Sequence, residues 1–426
     1  MKYLKWFSYG AVSCVVASSA WGQSAPVLSD CSTLTDLQAL ATGFAPSVQF
    51  AKTEIDAARS VLDEVRAERG PRISTFGRTR VGDTGLLDQS IENQVGFRAS
   101  QTLFDFNKTN FRKSAAESGL DESNTNLALV RKEAALDVGL AYADALSAVL
   151  TEARLASEEA FIQDLVDRLD DPAIADNVTL GELATANSRL ADIQADQSRA
   201  RLTQQQAELA IQRLTGQPAQ GFCDEQATWR LIVISDEELA SLDEKIQLAI
   251  SSGEEIERVN QLIARRESEQ KVADRERLPD FNLVGTLSYA YLEDREEWEY
   301  RDSLGLDFST PIFSSGAISA RQRKAAAQTA QAKAERDLLV RELEQTMRGL
   351  MLQYYALQDQ VSARETAVRF KQDQVDQLQS AYEERLRSLV ELVEAREDLV
   401  DLRAGYDDAR IELYRTAIQL RHYIDF

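Results

Sequence analysis

The chain has 426 residues, with 70 acidic against 48 basic and a net charge of −22. That balance excludes a nucleic-acid binder, which needs basic patches to meet phosphates. One histidine (His422), and no phosphate loop, metal-ligand cluster or nucleophile–base spacing, give no basis for an enzyme, a metal site or a resident cofactor. Aromatics make up only 7%, while Ala, Gln, Leu, Glu and Arg dominate, which favours long helices over packed α/β layers.

Lys2 and Lys5 precede an apolar run from Trp6 to Ala17, too short to span a bilayer, and Ala20-Trp21-Gly22 follows. Residues 1–22 therefore read as a secretory signal. Ala11-Val12-Ser13 before Cys14 is a weak lipid-attachment signal, and the apolar run continues through Val15 and Val16, which argues against lipidation. The exported part keeps Cys31 and Cys223, which suggests one disulfide between its start and its middle. No later stretch approaches about 18 apolar residues, so no transmembrane helix is expected after the signal.

Pro46 to Arg69 has a helical pattern, stopped by Gly70-Pro71. Arg72 to Val81 then alternates, with Ile73, Thr75, Thr79 and Val81 on one side. After a turn-rich stretch, Ile91, Val95, Phe97, Ala99 and Leu103 alternate with Glu92, Gln94, Arg98 and Ser100. Lys108 to about Leu169 is an unbroken helical pattern, in which Leu120, Leu127, Ala134, Ala141, Ala148, Leu155, Ile162 and Leu169 recur at heptad spacing. At 1.5 Å per residue such a helix makes a rod of roughly 90 Å. Asp170 to Val178 reads as the turn into a returning helix, and residues 217–245 as an irregular connector.

The same order then repeats. Phe281, Leu283, Leu287, Tyr289 and Tyr291 alternate with Asn282, Val284, Thr286, Ser288 and Ala290; Tyr300, Leu304, Leu306 and Phe308 alternate with Arg301, Ser303, Asp307 and Ser309. Val340, Met347, Tyr354, Val361, Val368, Val375 and Tyr382 form a second heptad series, and Leu392, Leu399, Tyr406, Leu413 and Leu420 a third on the returning helix. Leu103-Phe104-Asp105-Phe106-Asn107 aligns with Ile312-Phe313-Ser314-Ser315-Gly316. The same offset carries Thr179-Leu180 onto Ser388-Leu389 and Glu182-Leu183 onto Glu391-Leu392. The chain is thus a duplication, with a first repeat at 23–216 (hairpin about 72–103), the connector at 217–245, and a second repeat at 246–426 (hairpin about 280–312).

Each alternating run is about 10–13 residues, the length of a tilted membrane strand. Four such strands cannot close a barrel, and open edges cannot sit in lipid, so several copies must share one barrel. Cyclic symmetry would then wrap the long helices into a hollow tube beneath it.

These features resemble the TolC-like outer-membrane channel family of efflux pumps and type I secretion systems. The likeness covers nearly the whole exported chain and includes F-x-x-(G/N) junctions at Phe104 and Phe313. It implies a mainly α fold with a small membrane β part. Three copies would share a β-barrel, four strands from each, above a periplasmic α-barrel closed at its far tip. It also implies a homotrimer in outer-membrane lipid, a periplasmic adaptor, and an inner-membrane ABC exporter or proton-driven pump.

The family's tip motif falls on Tyr382, Arg387, Ser388, Glu391, Val393 and Ala395, with Arg385 where the family has Gly and Val393 where it has Leu. The resemblance makes Tyr382 and Arg387 a lock against a neighbouring tip near Glu182, with Arg385 beside it, and makes Glu391 and Glu394 the acidic pore constriction. The expected function is an exit duct, with protein secretion by a type I system favoured and drug or metal efflux as the alternative. A periplasmic coiled-coil scaffold explains the heptads but leaves the four strands without a role.

Overall fold

A computed structural model describes residues 32–83, 89–169, 180–219, 234–292, 297–384 and 386–424. Residues 1–22, expected to be a signal, and Cys31, Cys223 and Arg385 lie outside the described residues, as do Cys14 within that stretch and the expected turn at Asp170 to Val178. The elements run α1 (Leu34–Phe44), α2 (Pro46–Ala67), β1 (Arg72–Asp83), β2 (Gln89–Phe104), α3 (Lys108–Leu169) and α4 (Leu180–Thr215). The second half follows with α5 (Asp236–Ala240), α6 (Leu242–Ser252), α7 (Glu254–Asp274), β3 (Asp280–Leu292), β4 (Glu297–Ser309), α8 (Ala317–Glu383) and α9 (Leu389–Ile424).

Two rods dominate. Helix α3 has 62 residues and α8 has 67, so each runs about 90–100 Å. Each is flanked by two shorter helices placed end to end: α2 and α4 beside α3, α7 and α9 beside α8. The heptad positions explain the pairing. Ala134, Ala141, Ala148, Leu155 and Ile162 of α3 are buried, as are Met347, Tyr354 and Val375 of α8 and Leu392, Leu399, Leu413 and Leu420 of α9. Alanine at three successive α3 positions lets neighbouring helices approach closely, so the walls stay thin.

Both halves meet at a waist, where Leu37, Val48, Val138, Tyr142, Ile211, Ile246, Ile256, Met347, Tyr354, Tyr414 and Leu420 form the main core. Part of the stretch expected to be irregular is helical there. Ser235 and Glu238 make a reciprocal capping box on α5, and α6 buries Leu242, Ile246 and Ala249. The fully buried Tyr354 hydroxyl accepts the Ile234 N–H at 3.1 Å, which fixes this connector to the α8 rod. By length and composition alone, the segment Lys108–Arg168 contains a stretch long and apolar enough to cross a membrane, but half of it is buried against neighbouring helices, as in a core helix. The mean hydropathy of a window rises with scattered Ala and Leu even where no unbroken apolar run exists.

The four strands form one antiparallel sheet in the order β1-β2-β3-β4. Its apolar face is open: Phe97 is 58% exposed, Leu304 77% and Phe308 72%. A soluble hairpin pair would have covered this face with its own helices, as these helices cover one another. Aromatic side chains mark both ends of the apolar band. Tyr289 with Tyr300 and Tyr291 with Trp298 lie at 5.4 Å near the hairpin turns, and Phe281 lies 6.4 Å from Phe104 and 6.2 Å from Phe308 at the helix end. Projected at a tilt of about 40°, the two rows stand roughly 20–25 Å apart, close to the height of a membrane barrel's apolar band. The other face is polar and bonded across strands, with Gln94 donating to Ser288 at 2.8 Å and Thr102 to Asn282 at 2.9 Å.

The F-x-x-(G/N) motif has a backbone cause. Asn107 and Gly316 sit at φ 67° and 83°, and Phe106 and Ser315 at 53° and 48°. The chain turns from strand to helix through left-handed conformations, which Gly and Asn adopt most readily. Lys108 then ties the two repeats. Its buried ammonium donates to the Leu278 carbonyl at 2.7 Å and to Asp280 at 2.8 Å.

Candidate functional site

The site begins where α8 ends. The Glu384 N–H bonds the Ser380 carbonyl at 3.1 Å and the Leu386 N–H bonds the Ala381 carbonyl at 2.8 Å, which closes the last turn. Ser388 starts α9, its hydroxyl accepting the Glu391 N–H at 3.3 Å. Helical spacing then splits α9 into two faces. Leu389, Leu392, Val393 and Ala395 are buried, while Glu391 and Glu394 are both exposed.

Leu389 and Val393 pack with Leu155, Ile162, Leu165, Ala186 and Ile193, so the tips of the two helical pairs share one small core. Tyr382 lies half-buried against it, with Leu183 of the α4 first turn. Glu182 precedes Leu183 in that turn, so the backbone brings the 182 and 382 regions to the same tip. The Arg387 guanidinium stands 3.7 Å from the Glu391 carboxylate of its own chain. One of the two acidic positions therefore has a cation beside it. This pair is solvent-exposed and contributes about 0.5 kcal/mol or less to helix stability, so its effect is on local charge.

A ladder of ion pairs, which the sequence reading did not single out, ties α9 to α3 above the tip. Arg396 donates to Glu158 Oε2 through two nitrogens, at 2.9 and 3.2 Å, and its guanidinium lies 3.6 Å from the centre of the Phe161 ring. Glu158 is 2% exposed. Arg154 meets Asp407 at 2.8 Å, Arg189 of α4 meets Glu397 at 3.3 Å, and Arg415 bonds Asp144. A signal for this was present. Glu158 stands three residues after Leu155 and four before Ile162, a seam position of the heptad where an apolar residue is normal.

The chain thus has two rods of about 90 Å, an open apolar sheet face at one end and two exposed glutamates, Glu391 and Glu394, at the other. Residues 246–424 match the family described as Outer membrane efflux protein. The solved outer-membrane protein VceC of Vibrio cholerae aligns over 92% of this chain and 95% of its own, at TM-score 0.74 and 16% identity. A membrane protein from Pseudomonas aeruginosa aligns over 98% and 96%, at 0.77 and 17%. The open state of the MtrE outer-membrane channel of Neisseria gonorrhoeae aligns over 92% and 88%, at 0.74 and 15%. No curated protein matches by sequence. The second half of the chain thus matches the outer membrane efflux protein family by sequence, and nearly the whole chain shares the fold of these solved outer-membrane proteins.

Proposed function

We propose that three copies of this chain form a continuous exit duct from the periplasm through the outer membrane, closed at rest by the tips around Tyr382 to Ala395. The observation that carries the reading is the open-edged sheet with a bare apolar face at the end of two long rods. Backbone edges are tolerated in lipid only when they are paired, so the sheet becomes stable there by closing with other copies. The strands sit in the outer membrane and the helices stand in the periplasm, where an adaptor and an inner-membrane pump supply the energy. Fractionation and planar-bilayer recording test it. An outer-membrane, heat-modifiable oligomer with single-channel steps is expected, and a soluble periplasmic protein would sink the reading.

Efflux of small molecules is the favoured cargo class, supported by the family match over the second half. Type I secretion of an unfolded protein is the second reading, supported by the weak lipid-attachment signal at Cys14. Deleting the chain separates them, because the first predicts sensitivity to toxic compounds and the second a missing exoprotein.

At the tip, Glu391 and Glu394 of each copy would ring the throat and favour cations. Arg387 offsets Glu391, so the two acids are unequal. Glu394→Gln is expected to lower cation selectivity more than Glu391→Gln does, and the double variant to weaken divalent block as well. Reversal potentials under a salt gradient measure this; unchanged selectivity in the double variant removes the acidic ring. Arg387→Ser has two expected effects, a higher resting conductance from a weakened tip and a stronger cation preference from the uncovered Glu391. A pore that stays closed in that variant would count against Arg387 as part of the lock.

A further inference from the structure

The sheet has two unpaired edges, β1 and β4. Among its described charged residues, several that make no ion pair or hydrogen bond within the chain fall on these two strands. On β1 they are Arg72 and Arg78, both on the polar face, and on β4 they are Glu297 and Asp307, on the same face. The inner strands' described charges are engaged, Asp280 holding Lys108 and Arg98 lying over the Phe76 ring at 5.4 Å, and on β4 itself Glu299 holds Arg301, which leaves Glu297 and Asp307 as its open polar-face charges. The edges are therefore complementary, one basic and one acidic.

A further residue points the same way. Asp302 faces the apolar side of β4, between Tyr300 and Leu304, where a carboxylate meets lipid unless something covers it. The β1 edge offers on that side Thr75, Gly77 and Thr79 in place of large apolar residues.

We propose that β4 of one copy pairs antiparallel with β1 of the next, in the register that sets Asp302 opposite Thr79 of that copy and Asp307 diagonal to its Arg72. The proposal rests on the channel reading above and deepens it by naming the seam.

The register follows from length and tilt. It overlaps all 12 residues of β1 with the last 12 of β4, Trp298 to Ser309. Within the chain the ladder runs level, from Arg78 to Gln94, to Ala290, to Glu299. At the seam Glu299 then opposes Gly82 of the next copy, so the ladder climbs four residues per copy. At ~3.3 Å per residue over four strands spaced ~4.8 Å, this is a tilt of about 35°. Closed barrels need such a climb, with tilts of about 35–45°, and a level seam could not close. An odd slip is excluded because it would turn the apolar face inward. Thr79 already bonds Asn93 at 2.9 Å, so Asp302 would extend that pair into a short polar relay across the seam.

Cysteine pairing tests the register in the full chain with Cys31 and Cys223 changed to Ser. Thr79→Cys with Asp302→Cys places the two β-carbons about 5 Å apart across the seam, and oxidation is expected to link chains covalently on denaturing gels. Thr75→Cys with Asp302→Cys is displaced by about 13 Å and is expected to stay unlinked. Separately, Arg72→Glu should lower the temperature at which the oligomer dissociates, and adding Asp307→Arg should restore it. Unlinked chains in an assembled, membrane-inserted oligomer, linkage of the displaced pair instead, or no rescue by the charge exchange would each overturn the seam. Failure of the parent chain to insert at all overturns the channel reading and the seam with it.

Discussion

Glu158→Ala is expected to destabilise the tip by about 3–5 kcal/mol, because it strands the Arg396 guanidinium in a nearly closed site. The Glu158 and Arg396 side chains are 3% and 14% exposed, so water cannot replace the lost carboxylate without opening the packing. The consequence is local. Arg396 belongs to α9 and Glu158 to α3, and Ile162, Leu165, Leu389 and Val393 of the small core lie on their tip side. Loss of the pair should raise hydrogen exchange along both helices near the tip and increase resting conductance, while the waist around Tyr142, Tyr354 and Tyr414 keeps its protection. The double change Glu158→Leu with Arg396→Met removes both charges at similar volume, and it should recover most of the lost protection. An unaltered exchange pattern in Glu158→Ala would mean that the pair holds nothing.

Much of this arrangement could be read from residue order, because the two periodicities it uses are strong. Alternation at a period of two placed Phe281, Leu287, Tyr289, Leu304 and Phe308 on one face, and all are exposed on the open face of the sheet. The heptads placed Ile162, Tyr354, Val375 and Leu420 in helix seams, and all four are nearly or fully buried. The tip region was reached through the repeat, which set residues 182 and 391 at equivalent places, and through the family resemblance, which carried the tip motif onto Tyr382 and Arg387. What the sequence hid depends on pairing between distant segments. The Arg396–Glu158 pair joins residues far apart in the chain, so neither residue announces its partner, although a glutamate in a heptad seam was a hint. Arg387 looked like a contact for a neighbouring tip, yet its spacing of four from Glu391 also permits the local pair that is found. Helix α5 was missed for a simpler reason. Ser235 and Glu238 form a capping box legible in the sequence, but the helix they start has five residues and no periodic pattern.

Leu287→Arg is expected to stop the chain from assembling in the outer membrane, while Thr286→Arg, one residue away, is tolerated. The two positions differ only in face. Leu287 lies on the apolar side, between the Tyr289 and Phe281 ends of the band and one pleat from Tyr289, and is 52% exposed. Arginine on a barrel's lipid face costs from about 1 kcal/mol near an interface to about 2–4 kcal/mol at the midplane, and a ring of copies multiplies that cost. Thr286 stands on the polar side opposite Arg98 and Ser303, where an added cation would meet the water-filled lumen of the proposed duct. Its effect should be confined to conductance and ion preference, shifting the barrel toward anions by adding one positive charge per copy. Heat-modifiable oligomer in outer-membrane fractions reports the first effect, and reversal potential the second. Equal assembly of both variants would mean that the apolar face never meets lipid, and the soluble scaffold would then account for the long helices better than a duct does.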